Sequence, residues 1–167
     1  MAIQAAITGH MVISTLQTND APAAMVRLLE LGIPYSLLRN SLIGVIAQRL
    51  VRTLCPSCAK PVSMDTSDWD GLIAPCEIPA PDVIKEKGGC TECRDTGYRG
   101  RVGLYEIMQM THGVKRNILP DVDIAQLRDQ AVKDGMEPLR VSGARKIASG
   151  VTTMEEILRV APPPMDY

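Results

Sequence analysis

The stretches CPSC at residues 55–58 and CTEC at residues 90–93 decide how the middle of this chain folds. Each C-x-x-C turn places two thiolates on one side of a metal ion, and two such turns complete a tetrahedral site. Because four thiolates leave no open coordination position, we expect a structural zinc ion, one per chain. The predicted ligands are Cys55, Cys58, Cys90 and Cys93. A redox pair, an iron–sulfur cluster and unrelated buried cysteines are the alternatives that the residues leave open.

The composition is that of a globular protein and favours metal binding over disulfides. The chain has 167 residues, with 18 basic and 19 acidic side chains and a formal net charge of -1. It has no secretory signal pattern and no apolar run of about 18–20 residues, so we expect a cytoplasmic protein without a membrane span. Reduced thiols in that compartment are typical of metal sites. Without a basic surplus, and with only 3% aromatic residues, nucleic-acid binding is not expected.

The segment between the two cysteine pairs differs in texture from the rest of the chain. Residues 53–98 hold all five cysteines, five prolines and the single Trp69, and little periodicity survives there. We expect these residues to form an excursion whose fold needs a bound metal ion. The fifth cysteine, Cys76, is not expected to bind that ion. The run at 45–51 predicts a strand before the excursion, with a continuous helix as the alternative that the pattern leaves open, and the run at 101–110 predicts a strand after it.

The flanking segments carry recognisable helix boundaries. A helix that ends at Gly9 precedes a strand at 10–16, which is apolar on both faces and so typical of a buried position. Asp20 begins a helix that Gly32 ends, and a short helix is expected at 35–42.

The C-terminal third is predicted to be helical. Asp123 with Gln126, and Thr152 with Glu155, have the spacing of capping boxes. Between them a helix begins at Pro138 and ends at Gly150, and three prolines at 162–164 end the structure.

Three segments resemble the bacterial ATPases of type II secretion and type IV pilus assembly. Residues 8–21, TGHMVISTLQTNDA, are similar to the His box of that family, and residues 48–58 and 90–106 are similar to the two sides of its tetracysteine module. The resemblance implies a subunit of a hexameric ring that works with inner-membrane platform or anchor proteins. It also implies a cytoplasmic location, peripheral to the inner membrane through those partners. No G-x-x-x-x-G-K-[ST] motif is present, so ATP and Mg²⁺ are expected only in a longer parent protein, and this chain alone is predicted to be inactive.

The resemblance also suggests functional residues outside the cysteines. His10 matches the first histidine of the His box, and Gln17 stands where the family commonly has a second one. A glutamine can form hydrogen bonds but cannot titrate near neutral pH. Arg49 and Arg52 are candidates to approach nucleotide or a neighbouring subunit; the alternative is that they are solvated charges or counter-charges of the zinc site.

The predicted fold class is α/β to α+β: the C-terminal portion of a RecA-like ATPase core with an inserted zinc module and a helical subdomain. The expected divisions are the end of the core (1–52), the insertion (53–98), a returning strand (99–110), the helical subdomain (111–161) and a tail (162–167). The predicted function is that of a C-terminal motor fragment with transmission and docking surfaces. A free-standing zinc-stabilised interaction module without catalysis is the alternative.

Overall fold

The computed structural model of the chain describes residues 2–161. The tail expected at 162–167 lies outside these residues. Within them, 41% helix and 19% strand confirm a mixed helix and strand class. The helices are α1 (Ala2–Ile7), α2 (Ala21–Glu30), α3 (Tyr35–Ser41), α4 (Thr66–Ile73), α5 (His112–Arg116), α6 (Ile124–Lys133), α7 (Leu139–Ala148) and α8 (Met154–Val160). The strands are β1 (Gly44–Leu54), β2 (Lys60–Ser63), β3 (Val83–Glu86) and β4 (Tyr98–Gln109).

These elements form two compact units, and each of the strands β1 and β4 contributes to both. The first unit takes in the described residues up to Ala47 together with Glu106–Glu137. The second takes in Gln48–Tyr105 and the described residues from Pro138 onward. β1 pairs with β4 in one two-stranded sheet, and β2 pairs antiparallel with β3 in another. The five-part division expected from the sequence remains a prediction.

In the first unit, α2 packs against α6, and carboxylates hold its N-terminus. Asp20 caps the helix by accepting from the backbone N–H of Ala23 at 2.8 Å, and it pairs with Arg128 at 2.8 Å. The buried Glu106 of β4 accepts from the N–H of Ala21 at 2.7 Å. Negative charge is favourable at this end of a helix because the free N–H groups and the helix dipole point there.

In the second unit, the excursion between the cysteine pairs contains a hairpin and a helix that packs against α7. β2 and β3 form a hairpin in which Lys60 lies opposite Glu86 and Ser63 lies opposite Val83. Between these strands, α4 packs against α7 and buries Trp69, Leu72 and Ile73. Helix α4 was not predicted from the sequence, although the cap at Asp65, the acidic first turn and the spacing of the apolar residues are its signals.

Two sequence predictions differ from the structure. The strand expected at 10–16 is neither regular nor buried: Met11 is 76% exposed and Ile13 is 90% exposed. Among residues 2–161, neither two-stranded sheet includes this segment, so its backbone has no neighbouring strand to pair with. The last capping residue is also shifted by one position, because Thr153, not Thr152, accepts from the N–H of Glu156.

No helix among the described residues is both long and apolar enough to cross a bilayer.

Candidate metal centre

The first cysteine pair lies directly after strand β1. The strand ends at Leu54, and the chain turns so that the backbone N–H groups of Cys58 and Ala59 both donate to the carbonyl oxygen of Cys55, at 3.3 and 3.1 Å. Cys55 is fully buried, and Cys58 is half-buried. This turn directs both thiols to the same side of the chain.

The second pair lies at a short 3₁₀ turn, Thr91–Cys93, which Cys90 caps and which four residues separate from the start of β4. The carbonyl oxygen of Cys90 accepts from the N–H groups of Cys93 and Asp95, at 3.2 and 2.9 Å. Arg94 and Asp95 have left-handed backbones, with φ of 52° and 59°, which fold the chain sharply under the pair. The second pair therefore repeats the carbonyl-centred turn of the first.

The four sulfur atoms form a compact group that matches a single tetrahedral ion. A tetrahedron with metal–sulfur bonds of about 2.3 Å has sulfur–sulfur edges of about 3.8 Å. Three of the six edges are 3.8 Å for Cys55–Cys90, 3.8 Å for Cys58–Cys93 and 3.7 Å for Cys90–Cys93. All four sulfurs lie within 4.8 Å of one another, and Cys76 is not among them. These separations are too long for disulfides, whose sulfurs lie about 2.05 Å apart.

The thiols of Cys58 and Cys93 differ in pKa. Burial, together with hydrogen bonds to Cys93, raises the pKa of Cys58 to about 12. Burial also opposes ionisation of Cys93, but backbone hydrogen bonds at Cys90 and Gly97 outweigh it and lower the pKa of Cys93 to about 7. Neighbouring thiols keep protons and share them through hydrogen bonds. A divalent cation would replace those protons on all four sulfur atoms.

A buried carboxylate joins the strand that leads into the centre to helix α8. Glu156 is fully buried; it accepts from the backbone N–H of Arg52 at 3.0 Å and from its guanidinium at 2.5 Å. Arg159 donates to the same carboxylate at 3.0 and 3.1 Å. Burial favours the protonated acid, but the hydrogen bonds from Arg52 and Arg159 outweigh it and lower the pKa of Glu156 to about 2.

The strand that leaves the centre is tied to the same segment. The hydroxyl of Tyr98 lies 2.8 Å from that of Thr153, and the Arg52 guanidinium lies 4.1 Å from the centre of the Tyr98 ring. The backbone N–H of Leu54 donates to the carbonyl of Val151 at 2.8 Å. Both sides of the cysteine cluster are therefore bonded to residues 151–156.

The other predicted site residues lie elsewhere. His10 and Gln17 belong to the first unit, on the exposed segment after α1, where the Nδ1 atom of His10 is 3.3 Å from the hydroxyl oxygen of Thr8. Arg49 donates to the carbonyl of Gln48 at 3.0 Å, and Arg52 is held by Glu156. Nothing in these contacts tests the nucleotide or subunit roles of the four residues, which stay predictions.

Sequence reasoning missed Glu156, Glu106 and Gly97. The run TTMEE at 152–156 fits two capping registers equally well, so pattern alone could not select Glu156. Glu106 lies in an apolar strand run, where an isolated acid is itself a signal of a buried partner. Gly97 acts through backbone groups, which side-chain spacing does not reveal.

The chain is similar to known proteins over almost its whole length. The model of the type II/IV secretion system protein family matches residues 1–159. The type IV pilus assembly ATPase TfpB of Acinetobacter baylyi is 49% identical over 162 residues, which are 97% of this chain and 28% of the relative. The pilus assembly ATPase PilB of Myxococcus xanthus is 44% identical over 95% of the chain and 28% of the relative. The type II secretion system protein E of Pseudomonas aeruginosa is 40% identical over 96% of the chain and 31% of the relative. The chain thus spans less than a third of the length of these relatives.

Proposed function

Because the chain belongs to the type II/IV secretion system protein family, we propose that it is the C-terminal part of a hexameric cytoplasmic ATPase that drives type IV pilus assembly or type II secretion. The observation that carries this proposal is the similarity over nearly all of this chain: the family model matches residues 1–159, and the segments aligned with the relatives are less than a third of each relative. ATP and Mg²⁺ then act in the full-length motor, whose phosphate-binding loop this segment lacks.

Pilus assembly is the favoured activity of the parent. Two relatives that are pilus assembly ATPases, TfpB and PilB, are 49% and 44% identical to the chain, whereas six relatives that are type II secretion proteins are 36% to 41% identical. Loss of surface pili without loss of secreted protein, on disruption of the gene that encodes this segment, is the expected result. Loss of secretion with normal piliation would contradict it.

Within this motor, the cysteine cluster binds one structural Zn²⁺ ion. The sulfur–sulfur edges of 3.7 and 3.8 Å fit a single ion, whereas an iron–sulfur cluster would hold the four cysteines further apart. Zinc bound to four thiolates supplies folding energy and no chemistry of its own. Metal analysis of protein purified under reducing conditions should give one zinc per chain, and Cys55→Ser or Cys90→Ser should abolish it. Stoichiometric iron, or four free thiols without metal, would refute this assignment.

The exposed segment at 10–16 supports a sheet that extends beyond this chain. An exposed apolar segment that has no neighbouring strand among residues 2–161 favours pairing with another strand. We place this segment within the RecA-like sheet of the parent, with His10 and Gln17 at the edge that faces nucleotide. Hydrogen exchange tests this placement: the amides of 10–16 should exchange rapidly in the isolated chain and slowly in the full-length protein. Equal rates in both would refute it.

The second unit supplies transmission and docking surfaces in this proposal. Leu50 and Tyr105 are about half exposed, at 50% and 48%, on the β1–β4 strands of that unit. Apolar side chains of this size on a sheet surface are available for a neighbouring subunit or an inner-membrane platform protein. The purified chain alone should show no ATP hydrolysis. Magnesium-dependent turnover that remains at constant specific activity through purification would contradict the fragment assignment.

A further inference from the structure

Gly97 follows the second cysteine pair in the sequence, and its backbone is hydrogen-bonded to one cysteine of each pair. Its backbone N–H donates to the Sγ atom of Cys93 at 3.2 Å. Its carbonyl oxygen accepts from the backbone N–H of Cys55 at 2.9 Å. One peptide segment therefore fixes one cysteine of each pair, and it does so without a side chain.

The space around Gly97 excludes any side chain. Its φ of 76° is left-handed, a conformation that L-residues adopt at a cost in strain. A β-carbon at this position would lie 2.6 Å from the carbonyl oxygen of Gly88 and 2.7 Å from the β-carbon of Lys87. Neither of these atoms is the end of a flexible side chain, so the backbone would have to move.

The contact with Gly88 continues to a third cysteine. A β-carbon on Gly88 would collide with the carbonyl oxygen of Cys58, so the loop before the second pair packs directly on the first pair. Pushing Gly97 away from Gly88 would therefore disturb the position of Cys58 as well as those of Cys55 and Cys93.

We propose that Gly97 is a positioning residue of the metal centre, which brings the two cysteine pairs to tetrahedral spacing through its backbone and its lack of a side chain. The inference rests on the proposed metal function. An N–H group directed at a thiolate also stabilises its negative charge, and such partners of ligand atoms commonly change metal affinity by about 10–100-fold.

The test compares Gly97→Ala with Gly150→Ala in the purified chain. Gly150 is also left-handed, with φ of 68°, and lies in the same unit, but its nearest neighbour is the Cδ atom of Lys85 at 3.0 Å, which can swing away. Zinc affinity is measured by competition with a chromophoric chelator, and Co²⁺ supplies the thiolate charge-transfer and ligand-field spectrum. We expect Gly97→Ala to lower zinc affinity about 10–100-fold and to shift the Co²⁺ spectrum, and Gly150→Ala to leave both near wild type.

Unfolding of both variants in excess chelator separates metal positioning from general stability. The decisive comparison is made at equal metal-free stability of the two variants. If Gly97→Ala then lowers zinc affinity no more than Gly150→Ala does, Gly97 has only a structural role and the proposal is overturned. Asparagine tolerates a left-handed backbone but carries a β-carbon, so Gly97→Asn should also bind weakly; wild-type affinity in that variant would refute the close-approach argument. A wild-type chain that binds neither Zn²⁺ nor Co²⁺ would overturn the metal centre itself.

Discussion

Replacing Glu156 with glutamine should destabilise the second unit by about 3 kcal/mol at neutral pH, although the change is isosteric. The carboxylate is fully buried and accepts from Arg52 and Arg159, which lower its pKa from the ordinary 4.5 to about 2. That difference corresponds to about 3 kcal/mol, since one pKa unit is 1.36 kcal/mol. The amide has one acceptor oxygen where the carboxylate has two, so it cannot satisfy both guanidinium groups.

The pH dependence gives this prediction its sign. A carboxylate whose pKa is lowered by folding contributes stability that is fully present above 4.5 and is lost as the pH falls toward 2. By pH 3, about 2 kcal/mol of the contribution should be gone, and the gap between wild type and Glu156→Gln should shrink to about 1 kcal/mol. Both proteins are compared at each pH in excess chelator, so that loss of a bound metal in acid does not enter the comparison.

Urea unfolding monitored by Trp69 fluorescence is the assay, because this single tryptophan is fully buried in the same unit as Glu156. Glu155→Gln is the matched control: Glu155 is 58% exposed and pairs with Lys87 on the surface, and such pairs contribute about 0–1 kcal/mol. Equal stability of wild type and Glu156→Gln at pH 7, or a gap that stays constant down to pH 3, would show that the buried ion cluster does not hold α8.

Three further predictions concern the rest of the chain. Glu106→Gln should cost the first unit about 1–3 kcal/mol in thermal unfolding, because it removes the charge that accepts from the N–H of Ala21, and Glu30→Gln on the exposed end of α2 should not. Removing the proposed zinc ion with a chelator should shift Trp69 fluorescence to the red and reduce helicity; a red shift with cleavage confined to the segment between Lys60 and Lys87, and with most of the helical circular dichroism retained, would mean that the excursion melts alone. In the full-length motor, Gln17→His should change the ATPase rate by several-fold, and an unchanged rate would remove the support for placing Gln17 at nucleotide.

The elements that the sequence predicted best are those with explicit end signals. Asp20 with Gly32 bounds α2, and Asp123 begins α6, within one residue of where the structure has these boundaries, because caps and left-handed glycines act locally. The four cysteines also come together as their spacing predicts, since C-x-x-C constrains the chain to a tight turn. Local chemistry was sufficient in each of these cases.

The failures have a common physical origin in long-range partners. The pattern at 10–16 indicates that both faces of a strand can be buried, but it does not indicate which segment covers them. Among residues 2–161, no strand pairs with this segment. Helix α4 was hidden in a Pro-rich segment because its apolar face is short and is completed by α7, about 70 residues away. Besides its neighbour Arg159, Glu156 pairs with Arg52, 104 residues earlier, and no local sequence pattern predicts a pair that distant.

Burial of the Glu156 carboxylate carries a desolvation cost, and an apolar contact of similar volume can stabilise the helix equally well. What the carboxylate adds is selectivity. Its oxygens accept from the backbone N–H of Arg52 and from two guanidinium groups only when α8 stands in one register against β1. Cys55 lies three residues after Arg52 along the chain. The register that satisfies the hydrogen bonds of Glu156 therefore also sets the position at which the N–H of Cys55 donates to the carbonyl of Gly97. The metal centre and α8 therefore depend on a single arrangement of β1, which is the physical reason to expect loss of the metal to weaken the C-terminal helices and not the excursion alone.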